Sequence, residues 1–139
     1  MKHAHLLLIL AVLCTTACKK DEIDLSSLTS NPFDAEYNGD PIFAMVDQET
    51  VEQTISGVVQ QRLNVTVSVR SDLFPIATSY QVRAVRGSTT QVFFLNAQDH
   101  DRFVVSVAGV SPGDVECWSL QLGNAGEFGG GNDVCGTAE

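Results

Sequence analysis

From residue 33 onward the chain alternates apolar and polar residues far more often than it repeats them at a helical period. Leu63, Val65, Val67 and Val69 alternate with Asn64, Thr66, Ser68 and Arg70, the pattern of a half-buried strand with the four aliphatics facing a core. Residues 79–86 repeat it with Tyr80, Val82 and Ala84 inward, and residues 90–96 follow across a hairpin-like turn at Gly87-Ser88-Thr89. In that following strand Val92 and Phe94 are expected inward. Because Phe93 and Leu95 make its other face apolar too, a central position in the sheet is predicted. Residues 102–108 carry Phe103, Val105 and Val107 on one face, and residues 115–122 carry Trp118, Leu120 and Leu122 after a turn at Ser111-Pro112-Gly113-Asp114. Weaker strands are expected at 41–46 and 51–59, while residues 47–61 are also compatible with one helix. About seven short strands with turn signals between them predict an all-β fold. The expected architecture is an antiparallel β-sandwich, immunoglobulin- or fibronectin-III-like in outline.

Residues 123–133 contain five of the eleven glycines and read as a loop that is costly to order. Cys117 and Cys135 flank it. In an exported chain they are expected to form a disulfide that closes this loop, worth about 3 kcal/mol through the unfolded chain. They are too close in sequence for the inter-sheet bridge of antibody domains.

Export is the reading of the N-terminus. Lys2 precedes Leu6–Leu13, eight consecutive apolar residues, too few to span a bilayer but suited to the core of a signal peptide. Thr15-Thr16-Ala17-Cys18 resembles a lipobox, with Ala17 and Cys18 on the matching positions and Thr15 where leucine is usual. Cys14 is the poorer acceptor, because Leu13 precedes it. Ordinary cleavage after Ala17, releasing a soluble chain, is the competing outcome. The next residues, Cys18-Lys19-Lys20-Asp21-Glu22, resemble the export signal of surface lipoproteins of the Bacteroidota. That resemblance covers residues 1–23 and implies acyl chains on Cys18, a bilayer as partner, and export machinery that reads Lys20, Asp21 and Glu22. Two or more acyl chains make a stable anchor. The expected organisation is a signal peptide over 1–17, a lipid-anchored linker over 18–32 and a β-sandwich over 33–139.

Net charge sharpens the partner class. The precursor carries −9; Lys2 is the only charged residue before Cys18, so the mature chain carries −10. Arg62, Arg70, Arg83, Arg86 and Arg102 are scattered, which speaks against nucleic acid.

Catalytic and metal motifs are thin. Gly109-Val110-Ser111-Pro112-Gly113 fits G-x-S-x-G. However, Pro112 has no N–H for an oxyanion hole, and no histidine follows in the chain. Asp99-His100-Asp101 contains the only mature histidine and reads as a solvated hairpin turn, not a zinc or acid–base site. Asp34, Glu36 and Asp40, or Asn132 and Asp133, could offer oxygens to calcium but lack a 12-residue loop pattern. No catalytic residue, metal or cofactor is assigned. The expected function is a non-catalytic binding, adhesion or structural accessory domain on the cell surface. A glycan-binding accessory is the alternative, with a periplasm-facing component or an enzyme further behind. Exposed aromatic rings would favour glycan binding, and Trp118, Tyr80 and most Phe fall on core positions.

Overall fold

The computed structural model describes residues 30–74, 79–96 and 101–139. Cys18, Lys20, Asp21, Glu22, Asp99 and His100 lie outside them. Seven strands form in chain order: β1 (Phe43–Ile55), β2 (Val58–Val69), β3 (Ser79–Arg86), β4 (Thr89–Asn96), β5 (Arg102–Ala108), β6 (Val115–Asn124) and β7 (Glu127–Thr137). They make two antiparallel sheets, β1-β2-β5 and β4-β3-β6-β7, and the domain is an all-β sandwich. A 3-10 turn at Ser71–Leu73 follows β2.

The alternating strands bury the residues that their pattern assigns. Leu63, Val65 and Val67 of β2, Val105 of β5, Val82 of β3, and Leu120 and Leu122 of β6 are fully buried between the sheets. Removing such branched side chains from water stabilises by about 1.5–3 kcal/mol each. Phe33, Phe74 and Tyr80 pack edge to face in series at the pole where the described chain begins. Burial, with Asp101 adding to it, pushes the Tyr80 hydroxyl up to about 12. The native state therefore favours the neutral phenol. That contribution is complete below the ordinary value of 10.0 and is lost as pH rises towards 12. Denaturant midpoints should fall between pH 9 and pH 11.5, roughly bracketing that window, and Tyr80→Phe should remove most of the fall.

Three expectations need correction. Residues 41–46 and 51–59 are not separate strands. β1 runs unbroken from Phe43 to Ile55, with a bulge between Met45 and Asp47, and turns at Ser56-Gly57 into β2. Both turn residues have positive φ (51° and 81°), the primed geometry that suits a tight hairpin, so no helix forms over 47–61. β4 is an edge strand, not a central one. Its phase is also opposite to that expected, because Phe93 pairs with Val82 and Leu95 with Tyr80, which turns Val92 and Phe94 to solvent. The chain passes from one sheet to the other between β4 and β5; the turn expected at Asp99-His100-Asp101 falls largely outside the described residues. Finally, residues 123–133 are not a loop: β6 continues to Asn124, Ala125-Gly126 turns, and the glycines belong to β7.

The glycines of β7 are explained by what lies against them. A Cβ on Gly129 would overlap the Phe33 carbonyl, one on Gly130 would stand 2.7 Å from the Tyr37 Cβ, and one on Gly136 would overlap the Val65 side chain. Gly130 N–H donates to the Pro32 carbonyl (3.0 Å), so residues 32–37 lie directly on the edge of β7. Glycine in a strand marks such close backbone approach. Side chains close the rest of the β1–β7 seam. Asn132 Oδ1 accepts from the N–H groups of Ile42 (3.0 Å) and Phe43 (2.9 Å), Gln48 Oε1 from Thr137 (3.0 Å), and Thr50 Oγ1 from Glu139 (3.0 Å).

Candidate functional site

β1 and β2 outrun the rest of their sheet. The pairing of β2 with β5 stops at Arg62 opposite Ala108, whereas the β1–β2 ladder continues to Ile55 opposite Val58. Glu52–Ile55 and Val58–Gln61 therefore form a two-stranded ribbon projecting by about 13 Å at roughly 3.3 Å per residue. Its base is fastened on both sides. Arg62 donates from Nη1 to Gln53 Oε1 (2.9 Å) and from Nη2 to Ser106 Oγ, joining β1, β2 and β5. The Gln61 carbonyl accepts from Gly109 (2.8 Å) and Val110 (3.4 Å).

The tip carries Ile55, Val58 and Val59, exposed by 39%, 58% and 63%. Ile55 and Val58 are cross-strand partners on one face and Val59, opposite Thr54, is on the other, so the end of the ribbon is apolar on both faces. Exposed aliphatics with no packing reason to stand on a solvated hairpin mark a contact surface. Asp47, Glu49 and Glu52 line the β1 side of the same hairpin. Arg62 is the basic group at the ribbon's base, and its guanidinium is held by Gln53 and Ser106. The ribbon thus presents an apolar end with an acidic flank. It stands at the pole away from Ser30, because residues 32–37 lie at the start of β7 and β1 runs from there to the tip, about 40 Å at roughly 3.4 Å per residue.

The other sequence candidates are dispersed. Cys117 and Cys135 are direct partners in the β6–β7 ladder and are bonded, on the solvent face of the four-stranded sheet. They join two neighbouring strands and do not close a loop. Ser111 lies in a tight turn, where Asp114 N–H donates to the Ser111 carbonyl (3.0 Å) and Asp114 Oδ2 accepts from Ser111 N–H (2.7 Å). Asp34 Oδ1 accepts from Glu36 N–H (2.9 Å), and Asp40 faces Arg70 at 3.5 Å, so these carboxylates are not brought onto one point. The Asn132 amide is taken up by the backbone of β1. Among the described residues no group of three or more His, Cys, Asp or Glu side chains could share a metal ion.

An open groove of about 380 Å³ runs along β7 beside Tyr37, Gln121 and Asp133. Several of its polar groups are already engaged: the Tyr37 hydroxyl donates to the Asp40 carbonyl (2.8 Å), and Gln121 Oε1 accepts from Arg83. Trp118 and Tyr80 are buried, and Phe128 lies beneath the Arg83 guanidinium at 4.4 Å. Sequence reasoning missed the ribbon. Its residues read as strand, but the projection depends on β5 being shorter than β2, and no local signal carries that. Comparison with family models, curated proteins and solved structures found no match to this chain.

Proposed function

We propose that this chain is an outer-membrane lipoprotein, anchored through acyl chains on Cys18 and exported to the cell exterior through Lys20, Asp21 and Glu22. Its non-catalytic sandwich binds a protein partner at the β1–β2 ribbon. The observation that carries the binding reading is the apolar tip of Ile55, Val58 and Val59, at the pole away from the point where the chain enters the domain. An anchor at the entry pole would hold the tip outermost. The acidic flank fits a protein surface with an apolar cleft and a basic rim, since complementary charge speeds and orients encounter. Glycan binding has less support, because stacking on sugars needs open rings beside polar partners; Trp118 and Tyr80 are in the core, and the exposed Phe94 stands next to Val92 on an uncharged strand.

One experiment on intact cells tests anchor, face and ribbon separately. A fatty-acid probe should label the wild type and not Cys18→Ala. Added protease should reach the wild type and not the triple Ala variant at Lys20, Asp21 and Glu22. A photo-cross-linker at Val59 should give a discrete adduct that is lost with Val58→Asp and is absent when the cross-linker sits at Glu127, near the entry pole. Labelling that persists in Cys18→Ala removes the anchor. Equal exposure of the triple variant removes the export signal. Equal adducts at Val59 and Glu127 remove the ribbon.

A further inference from the structure

A sandwich has four strand edges, and here three carry a device against pairing with another chain. β1 has the bulge after Met45 together with Asp47, Glu49 and Glu52. β7 is covered by residues 32–37 and by the side chains of β1. β5 is shorter and begins on Arg102, beside Asp101. Among the described residues β4 has none of these. Its sequence Thr-Thr-Gln-Val-Phe-Phe-Leu-Asn contains no charge, proline or glycine, and its pairing with β3 is regular over all eight residues. It also turns Val92 and Phe94 to solvent, exposed by 43% and 76%. A long, regular, apolar edge is a template for strand addition.

We infer that the outer edge of β4, over Thr90–Leu95, pairs antiparallel with β4 of a second copy of this chain, joining two four-stranded sheets into one. Charge selects this edge for a self-contact. Two copies of net charge −9 repel, so a contact is least opposed where neither brings a carboxylate; β4 has none, and Arg83 stands behind it on β3. Side-chain parity then fixes the register. In an antiparallel pair, opposed residues share a face, so a two-fold axis must pass through a residue of β4. An axis at Phe93 sets Val92 opposite the second copy's Phe94, and Phe94 opposite the second copy's Val92, giving a closed apolar cluster on the outer face. On that outer face an axis at Val92 instead sets Phe94 against Thr90, and an axis at Phe94 sets Val92 against Asn96, so each leaves an exposed apolar residue facing a polar one; Leu95, opposite Gln91 under the Phe93 axis, is already buried in its own core. Two short strand edges and four side chains make a small interface, below roughly 1,200 Å², so weak, concentration-dependent pairing is expected.

Sedimentation equilibrium of the full chain carrying Cys14→Ala and Cys18→Ala, from about 10 μM to 1 mM, should show a monomer–dimer equilibrium within this weak range. Phe94→Lys places a charge at the centre of the contact from an exposed position, so folding is spared, and it should weaken dimerisation at least tenfold, roughly the effect of a desolvated charge. Val115→Lys, another exposed aliphatic at a strand start, should leave the equilibrium unchanged. In the same background, a chain with Val92→Cys mixed with one carrying Phe94→Cys should cross-link between copies, and neither should cross-link with itself. A chain that stays monomeric throughout overturns the proposal, as does a dimer indifferent to Phe94→Lys. Self-cross-linking of Val92→Cys or Phe94→Cys alone overturns the register.

Discussion

Replacing Gly131 with Ala is expected to cost the domain about 3 kcal/mol, a large share of the roughly 5–15 kcal/mol that holds a domain together. A Cβ at this position would overlap the carbonyl oxygen of Leu120 and stand 2.8 Å from its carbonyl carbon. These are backbone atoms of the neighbouring strand, so no rotamer change relieves the contact. Either β6 and β7 separate or Leu120, fully buried, leaves its place in the core. Gly126→Ala supplies the contrast. Nothing lies within 4 Å of a Cβ there, but φ is +96°, so the cost is dihedral alone, about 1 kcal/mol. Denaturation midpoints of the two variants separate the mechanisms. Equal losses would mean that the β6–β7 contact yields easily and that the glycine run is not explained by close packing.

That glycine run also shows where the sequence stops being informative. β2, β3, β5 and β6 were legible because their inward positions hold Val, Leu, Tyr, Phe or Trp and most of the outward ones hold Ser, Thr, Asn, Gln or Arg. In β7 the inward-facing and edge-facing positions include Gly129, Gly130, Gly131 and Gly136, which carry no hydrophobicity to alternate. The causes lie in remote residues that no window along the chain can display: Pro32–Tyr37 against Gly129 and Gly130, Leu120 against Gly131, and Val65 against Gly136. β4 failed for the opposite reason. Val92-Phe93-Phe94-Leu95 is apolar at every position, so its phase is set only by the partners Val82 and Tyr80. β1 failed because the bulge at Met45 shifts the period midway and most of its length faces solvent. The ribbon tip needed a comparison of strand lengths across a sheet, and the open edge needed the strand order. Both are tertiary facts.

Removing the Cys117–Cys135 bond is expected to lower stability by about 3 kcal/mol, as chain entropy predicts for two residues this far apart, without altering the native packing. The two cysteines are opposed in the β6–β7 ladder with their Cα atoms 4.0 Å apart, and both face solvent. Cys117→Ala with Cys135→Ala therefore opens no cavity and orphans no buried polar group. The ladder from Val115–Thr137 to Asn124–Glu127 and the Ala125-Gly126 turn remain to hold the strands. What is lost is the restriction on the unfolded chain, so the urea midpoint should fall while the near-ultraviolet band of Trp118, buried one residue from Cys117, stays as in the wild type. Because both sulfurs are accessible, a thiol reductant should reach the same end state without prior unfolding, and the two routes should give matching midpoints. A loss of the Trp118 band would show instead that the bond fixes the native approach of β6 to β7. A shift below about 1 kcal/mol would overturn the chain-entropy account of this bond, as when the turn and the ladder already hold the two strands together in the denatured ensemble.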